Sequence, residues 1–120
     1  MLIKDFYTVV SKEKNEAGEY LYGVKLNPAH EIYKGHFPEK PITPGVCNIL
    51  MIKELAESSM SRQFTLKTID RCRLTAMVTP DGSPDLTVKI KISEDFGLNA
   101  EIFHDATTFM TLSGKLVTGF

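Results

Sequence analysis

His36 is the residue whose surroundings in the chain best suit chemistry. It sits in a stretch punctuated by Pro28, Pro38, Pro41 and Pro44, nine residues ahead of Gly45. Each proline fixes its own φ angle and drives the residue before it towards extended conformations, so this loop is stiff and irregular. Thr43-Pro44-Gly45 then reads as a helix start, with an N-cap threonine followed by proline at the first helical position. The first N–H groups of a helix have no intrahelical partner, and that end carries partial positive charge. A histidine beside it is able to move a proton near neutral pH while the N–H groups hold a polarised carbonyl oxygen. Proton abstraction α to a thioester needs such a pairing. Taken alone, a loop histidine is more often an ordinary surface or hydrogen-bonding residue.

The elements around it must hold that loop. Leu2–Val10 is rich in β-branched and aromatic residues and reads as a strand, followed by a polar turn over Ser11–Gly18. Glu19–Asn27 alternates, with Tyr20, Tyr22, Val24 and Leu26 on one face, which predicts a half-buried strand paired with the first. After the proline loop (Pro28–Pro44), Gly45 to about Met60 predicts the one clear helix. It is apolar on nearly all sides, with Asn48, Lys53, Glu54 and Glu57 as polar exceptions, and so should be buried. Phe64–Val78 reads as a long strand with Arg71 and Arg73 on one face and Cys72 and Leu74 on the other. Pro80-Asp81-Gly82 marks a turn. Leu86, Val88, Ile90 and Ile92 then alternate with polar residues, Asp95-Phe96-Gly97 turns the chain, and Ala100–Phe103 and Thr108–Thr118 supply the last strands. One antiparallel sheet wrapped around one central helix lets every element bury its apolar face. The expected class is α+β, as a single domain over residues 1–120.

The run Gly35-His36-Phe37-Pro38, with Pro41-Ile42 and Pro44-Gly45-Val46 after it, resembles the active-site signature of the β-hydroxyacyl-[acyl-carrier-protein] dehydratases. Thr68-Ile69-Asp70-Arg71-Cys72-Arg73 and Val78-Thr79-Pro80-Asp81-Gly82 extend the likeness more weakly. The resemblance implies a hotdog fold, dimers that join into one continuous sheet, and an acyl tunnel at the dimer interface. It implies His36 as the catalytic base and acid, and the Gly45 N–H as the group holding the thioester carbonyl. It also implies no metal or organic cofactor, and a substrate site lined by Tyr33, Phe37, Pro44, Val46, Asn48 and Leu50. The family carries a helix carboxylate fourteen residues after the histidine, where this chain has Leu50. Leucine neither donates a proton nor orients a water, and losing a general acid costs about 10²- to 10⁴-fold in rate. Glu54, four residues on, shares that helix face about 6 Å further along. Its other reading is an exposed or salt-bridged helix residue. Asn48 holds a water or the substrate hydroxyl, or else bonds the neighbouring loop. A partner chain supplying the carboxylate is a third route.

Weaker candidates have plainer readings. His30 braces the loop or is a solvated turn residue; His104-Asp105 ends a strand; Cys47 is a small core residue. No His/Cys/Asp cluster has metal-ligand spacing.

Composition bounds the rest. The 120 residues are 42% hydrophobic and 24% charged with a formal net charge of −1, which excludes a generally basic nucleic-acid binder. No apolar run is long enough to span a bilayer, no signal-peptide pattern opens the chain, and the two cysteines read as reduced thiols, so a cytoplasmic protein is expected. Arg62, Lys67, Arg71 and Arg73 against Asp70 alone make a basic patch between Met60 and Thr75 that either steers an acidic carrier protein or is a solvated sheet face. The expected activity is removal of water from a 3-hydroxyacyl thioester carried on acyl carrier protein or coenzyme A, by a homodimer, a heterodimer or a higher oligomer. The alternatives are a non-catalytic acyl-binding partner subunit and, third, a thioesterase.

Overall fold

The computed structural model describes residues 6–30, 43, 45–78 and 85–118. Within them the order is β1 (Tyr7–Lys14), β2 (Tyr20–Leu26), α1 (Gly45–Met60), β3 (Phe64–Leu74), β4 (Asp85–Ile92), β5 (Gly97–His104) and β6 (Thr107–Thr118). The strands form one antiparallel sheet in the order β1-β2-β4-β5-β6-β3. The helix lies against its inner face. Alternation sets that face: Tyr22, Val24 and Leu26 of β2, Leu86, Val88 and Ile90 of β4, and Leu98, Ala100 and Ile102 of β5 are all buried. One helix against a curved antiparallel sheet is the hotdog arrangement.

The first strand departs from the expectation. It runs on to Lys14, because Ser11, Lys12, Glu13 and Lys14 pair with Gly23, Tyr22, Leu21 and Tyr20 beyond a bulge between Val9 and Ser11. The turn is confined to the residues before β2, where Gly18 takes φ +82°. An edge strand exposed on both faces carries no alternating pattern, so its polar half reads as turn from composition. Conversely, β3 ends at Leu74. Beyond it, the Thr75 and Ala76 N–H groups both reach the Phe109 carbonyl, and the chain leaves the ladder. The Pro80-Asp81-Gly82 turn and residues 2–5 of the first expected strand lie outside the described residues.

At the β3 edge the inner face is thinly covered. Cys72 and Leu74 stand opposite Leu112 and Met110 on that face, while Arg71 and Arg73 stand opposite Ser113 and Thr111 on the outer one. Ile69 and Leu74 are nevertheless 47% and 45% exposed. Gly114 lets β6 approach the bulged strand: a Cβ there would collide with the Thr68 carbonyl oxygen.

Candidate functional site

The helix starts at Gly45, behind Thr43, whose N–H donates to the Val78 carbonyl at 2.7 Å. That bond ties the end of the histidine loop to the chain just beyond β3. Gly45 is half-buried, and among the described residues nothing lies within 4 Å of the position a Cβ would take. A carbonyl oxygen therefore has room to approach the first-turn N–H groups from this side.

The helix has two unlike faces. Cys47, Asn48, Met51, Ile52, Leu55 and Ala56 are buried against the sheet. Val46, Leu50 and Glu54, spaced by four and hence stacked on another face, are open: Val46 is 61% exposed, and Leu50 and Glu54 are half-buried. The expectation of a helix buried all round is thereby corrected. The chain's own sheet covers one side, and the residues on the other side keep part of their surface exposed.

Asn48 is 0% exposed, and neither its amide nitrogen nor its amide oxygen has a hydrogen-bond partner among the described residues. Most of the loop to which its alternative bond would run lies outside the described residues. It lies two positions before Leu50, which turns it about 200° around the helix axis, towards the sheet. Asn48 thus does not share Leu50's face.

Glu54 does share it. Its Oε1 accepts a hydrogen bond from the Tyr7 hydroxyl of β1 at 2.9 Å. The Tyr7 phenol is pushed well above its ordinary value, first by burial, then by that bond and by the charge of Glu54, with Tyr22 and Glu57 adding to it. Tyr7 therefore stays a neutral donor. Glu57, the next acid on the helix, is otherwise occupied: its Oε2 accepts from the Phe64 N–H at 3.0 Å and lies 3.3 Å from Lys53 Nζ. Tyr7 was not legible as a site residue. Forty-seven positions separate it from Glu54, and no local signal marks one tyrosine in an aromatic strand for this contact.

His36, Tyr33, Phe37 and Pro44 lie outside the described residues. Cys47 is buried at 3% exposure, and that burial raises its thiol pKa, as suits a core residue and not a nucleophile. His104 and Asp105 sit at the β5–β6 hairpin, 3.5 Å apart, with Asp105 at φ +50° in the turn. His30 stands edge-on to the Phe6 ring, with centroids 5.8 Å apart, at the head of the histidine loop. Of the basic patch, Arg62 lies over the Phe96 ring, while Lys67, Arg71 and Arg73 are exposed along β3. Among the described residues no helix is long and apolar enough to cross a membrane, and no three His, Cys, Asp or Glu side chains gather as metal ligands would.

Comparison with known proteins agrees with this architecture. The family model described as "ApeI-like: ApeI dehydratase" matches residues 11–112. A 3-hydroxyacyl-[acyl-carrier-protein] dehydratase FabZ of Geobacillus thermodenitrificans is 31% identical over 83 residues, 62% of this chain and 57% of that protein. A FabZ of a Bradyrhizobium strain (BTAi1) is 28% identical over 85 residues, 62% of this chain and 56% of that one. The matches thus span little more than half the length of these curated relatives. Among solved structures, the dehydratase heterocomplex ApeI:P of Xenorhabdus doucetiae superposes with a TM-score of 0.79 at 23% identity, covering 91% of this chain and 96% of that one. An uncharacterised protein of Erwinia carotovora subsp. atroseptica gives 0.69 at 16% identity, covering 92% and 93%. At those identities the likeness speaks to the fold.

Proposed function

The chain belongs to the ApeI-like dehydratase family, and from that premise we propose that it removes water from 3-hydroxyacyl thioesters presented on acyl carrier protein or coenzyme A. His36 takes the α-proton. The Gly45 N–H holds the thioester oxygen as charge builds on it, and the hydroxyl leaves C3 as water. The observation that carries the reading is the uncovered start of the helix at Gly45, with nothing within 4 Å of its Cβ position among the described residues. For the departing hydroxyl, the shared face of Leu50 and Glu54 supports Glu54 or His36 over a water on Asn48.

The open face of α1 and the exposed apolar residues along and just past β3 support association through this side of the molecule. Ile69, Leu74 and Met77 there, with Val46 on the helix, are the kind of surface that a second chain covers. That chain is a copy of this one or a relative that brings the missing carboxylate.

A second reading has its own support. Leu50 stands at the carboxylate's place, and the similar ApeI:P structure is a heterocomplex. A non-catalytic acyl-binding subunit fits both. The deciding assay follows enoyl formation from a short 3-hydroxyacyl thioester on carrier protein, in wild type, His36→Ala and Glu54→Gln. Turnover lost with His36→Ala establishes the dehydratase; turnover that survives it sinks the mechanism. Carrier binding without turnover in any of the three proteins points to the partner subunit, and release of free thiol would mark a thioesterase.

A further inference from the structure

Glu54 is a half-buried carboxylate with no cation partner among the described residues. One oxygen is committed to Tyr7 at 2.9 Å, and the other has no hydrogen-bond partner in that set. Glu57, one turn nearer the helix end, shows what a structural acid looks like here: its Oε2 is shared between an N–H and a lysine. Glu54 instead has a neutral donor on one oxygen, and it shares its helix face with Leu50. Beside Tyr7 a cleft of about 510 Å³ is lined by Thr8, Lys25, Leu26, Asn27 and Pro28, where the histidine loop begins. We infer that Tyr7 is a positioning residue that fixes the Glu54 carboxylate as the hydrogen-bond acceptor for the substrate's 3-hydroxyl. This inference rests on the acyl-thioester reading of the helix face and deepens it.

The chemistry then closes on one base. Glu54 accepts the hydroxyl's hydrogen bond and leaves an oxygen lone pair free to take a proton. His36 takes the α-proton, and the C2–H electrons form the double bond as the C3–O bond breaks. The same proton passes from His36 to the departing oxygen, which leaves as water. Glu54 ends as it began, a carboxylate on Tyr7. The pair selects for the hydroxyl and supplies no proton.

The test separates this selection from turnover. In the His36→Ala background, which holds substrate unreacted, the affinities for 3-hydroxyhexanoyl- and hexanoyl-carrier protein are measured side by side. A hydrogen bond to a charged acceptor should favour the hydroxylated form about tenfold. Adding Tyr7→Phe or Glu54→Ala should bring the ratio close to one, while adding Ser59→Ala, which removes the separate Tyr22–Ser59 bond, leaves it intact. Because the ratio is internal to each protein, a folding defect that weakens both ligands is not mistaken for lost selection. A ratio that persists without Tyr7, or no preference in the His36→Ala protein itself, overturns the inference. If wild type turns over yet Tyr7→Phe keeps the preference, the dehydratase stands and Tyr7 does not. If there is no turnover but the preference depends on Tyr7, the pair is a recognition device in a non-catalytic subunit.

Discussion

The two faces of helix α1 differ in what completes them. The sheet-facing stripe (Cys47, Asn48, Met51, Ile52, Leu55 and Ala56) is finished within one chain and serves stability. The open stripe (Val46, Leu50, Glu54) is only partly covered, and the one described side chain that reaches it through a hydrogen bond is Tyr7. An apolar residue on the first face is core, whereas one on the second is a wall for whatever comes next. The difference teaches that hydrophobicity alone does not say what a helix residue is for. The neighbour that removes it from water does.

The sharpest way to break this contrast is to truncate both faces. Ile52→Ala should cost about 2–5 kcal/mol in urea unfolding, since a fully buried side chain leaves a cavity. Val46→Ala should stay within about 0.5 kcal/mol of wild type and instead weaken self- or partner association in sedimentation. Equal costs would show that the open face is core after all. Asn48→Leu tests the exception on the buried face. An amide with both atoms unpaired among the described residues disfavours the folded state, so removing it should stabilise the protein by about 1–3 kcal/mol. A loss of stability would mean that the amide is satisfied through a buried water.

A further test concerns the link between the faces. Tyr7→Phe should cost about 1 kcal/mol near neutral pH. Because the folded-state pKa of Tyr7 is raised above its ordinary 10.0, its contribution is complete below that value. It is lost as pH rises further, since the unfolded chain releases the phenolic proton first. Wild type's advantage over Tyr7→Phe should therefore narrow above pH 10.0, as read by denaturant unfolding at stepped pH. An advantage constant with pH would show that the phenol does not titrate with folding.

Much of the scaffold was legible where a residue pattern has one physical cause. Thr43-Pro44-Gly45 marked the helix start, and the helix bounds, Gly45 to Met60, follow the sequence reading. Strict alternation in Leu86–Ile92 marked β4, because one face is buried and the other is not. The polar half of β1 escaped, since an edge strand wet on both sides has no such alternation to read. Of the site, the weight placed on Gly45 and Leu50 came from the family resemblance, and only the link from Leu50 to Glu54 came from helix geometry. The placement of His36 lies outside the described residues.

The sequence by itself determined the element order and the helix register, because these follow from local spacing. The tertiary structure alone decided which side of an almost uniformly apolar helix would be covered, and so that Asn48 would be buried. It also brought Tyr7 to Glu54 across forty-seven residues. Those outcomes depend on where a curved sheet stops covering its helix, and contacts between distant segments exist only once the whole sheet has closed around it.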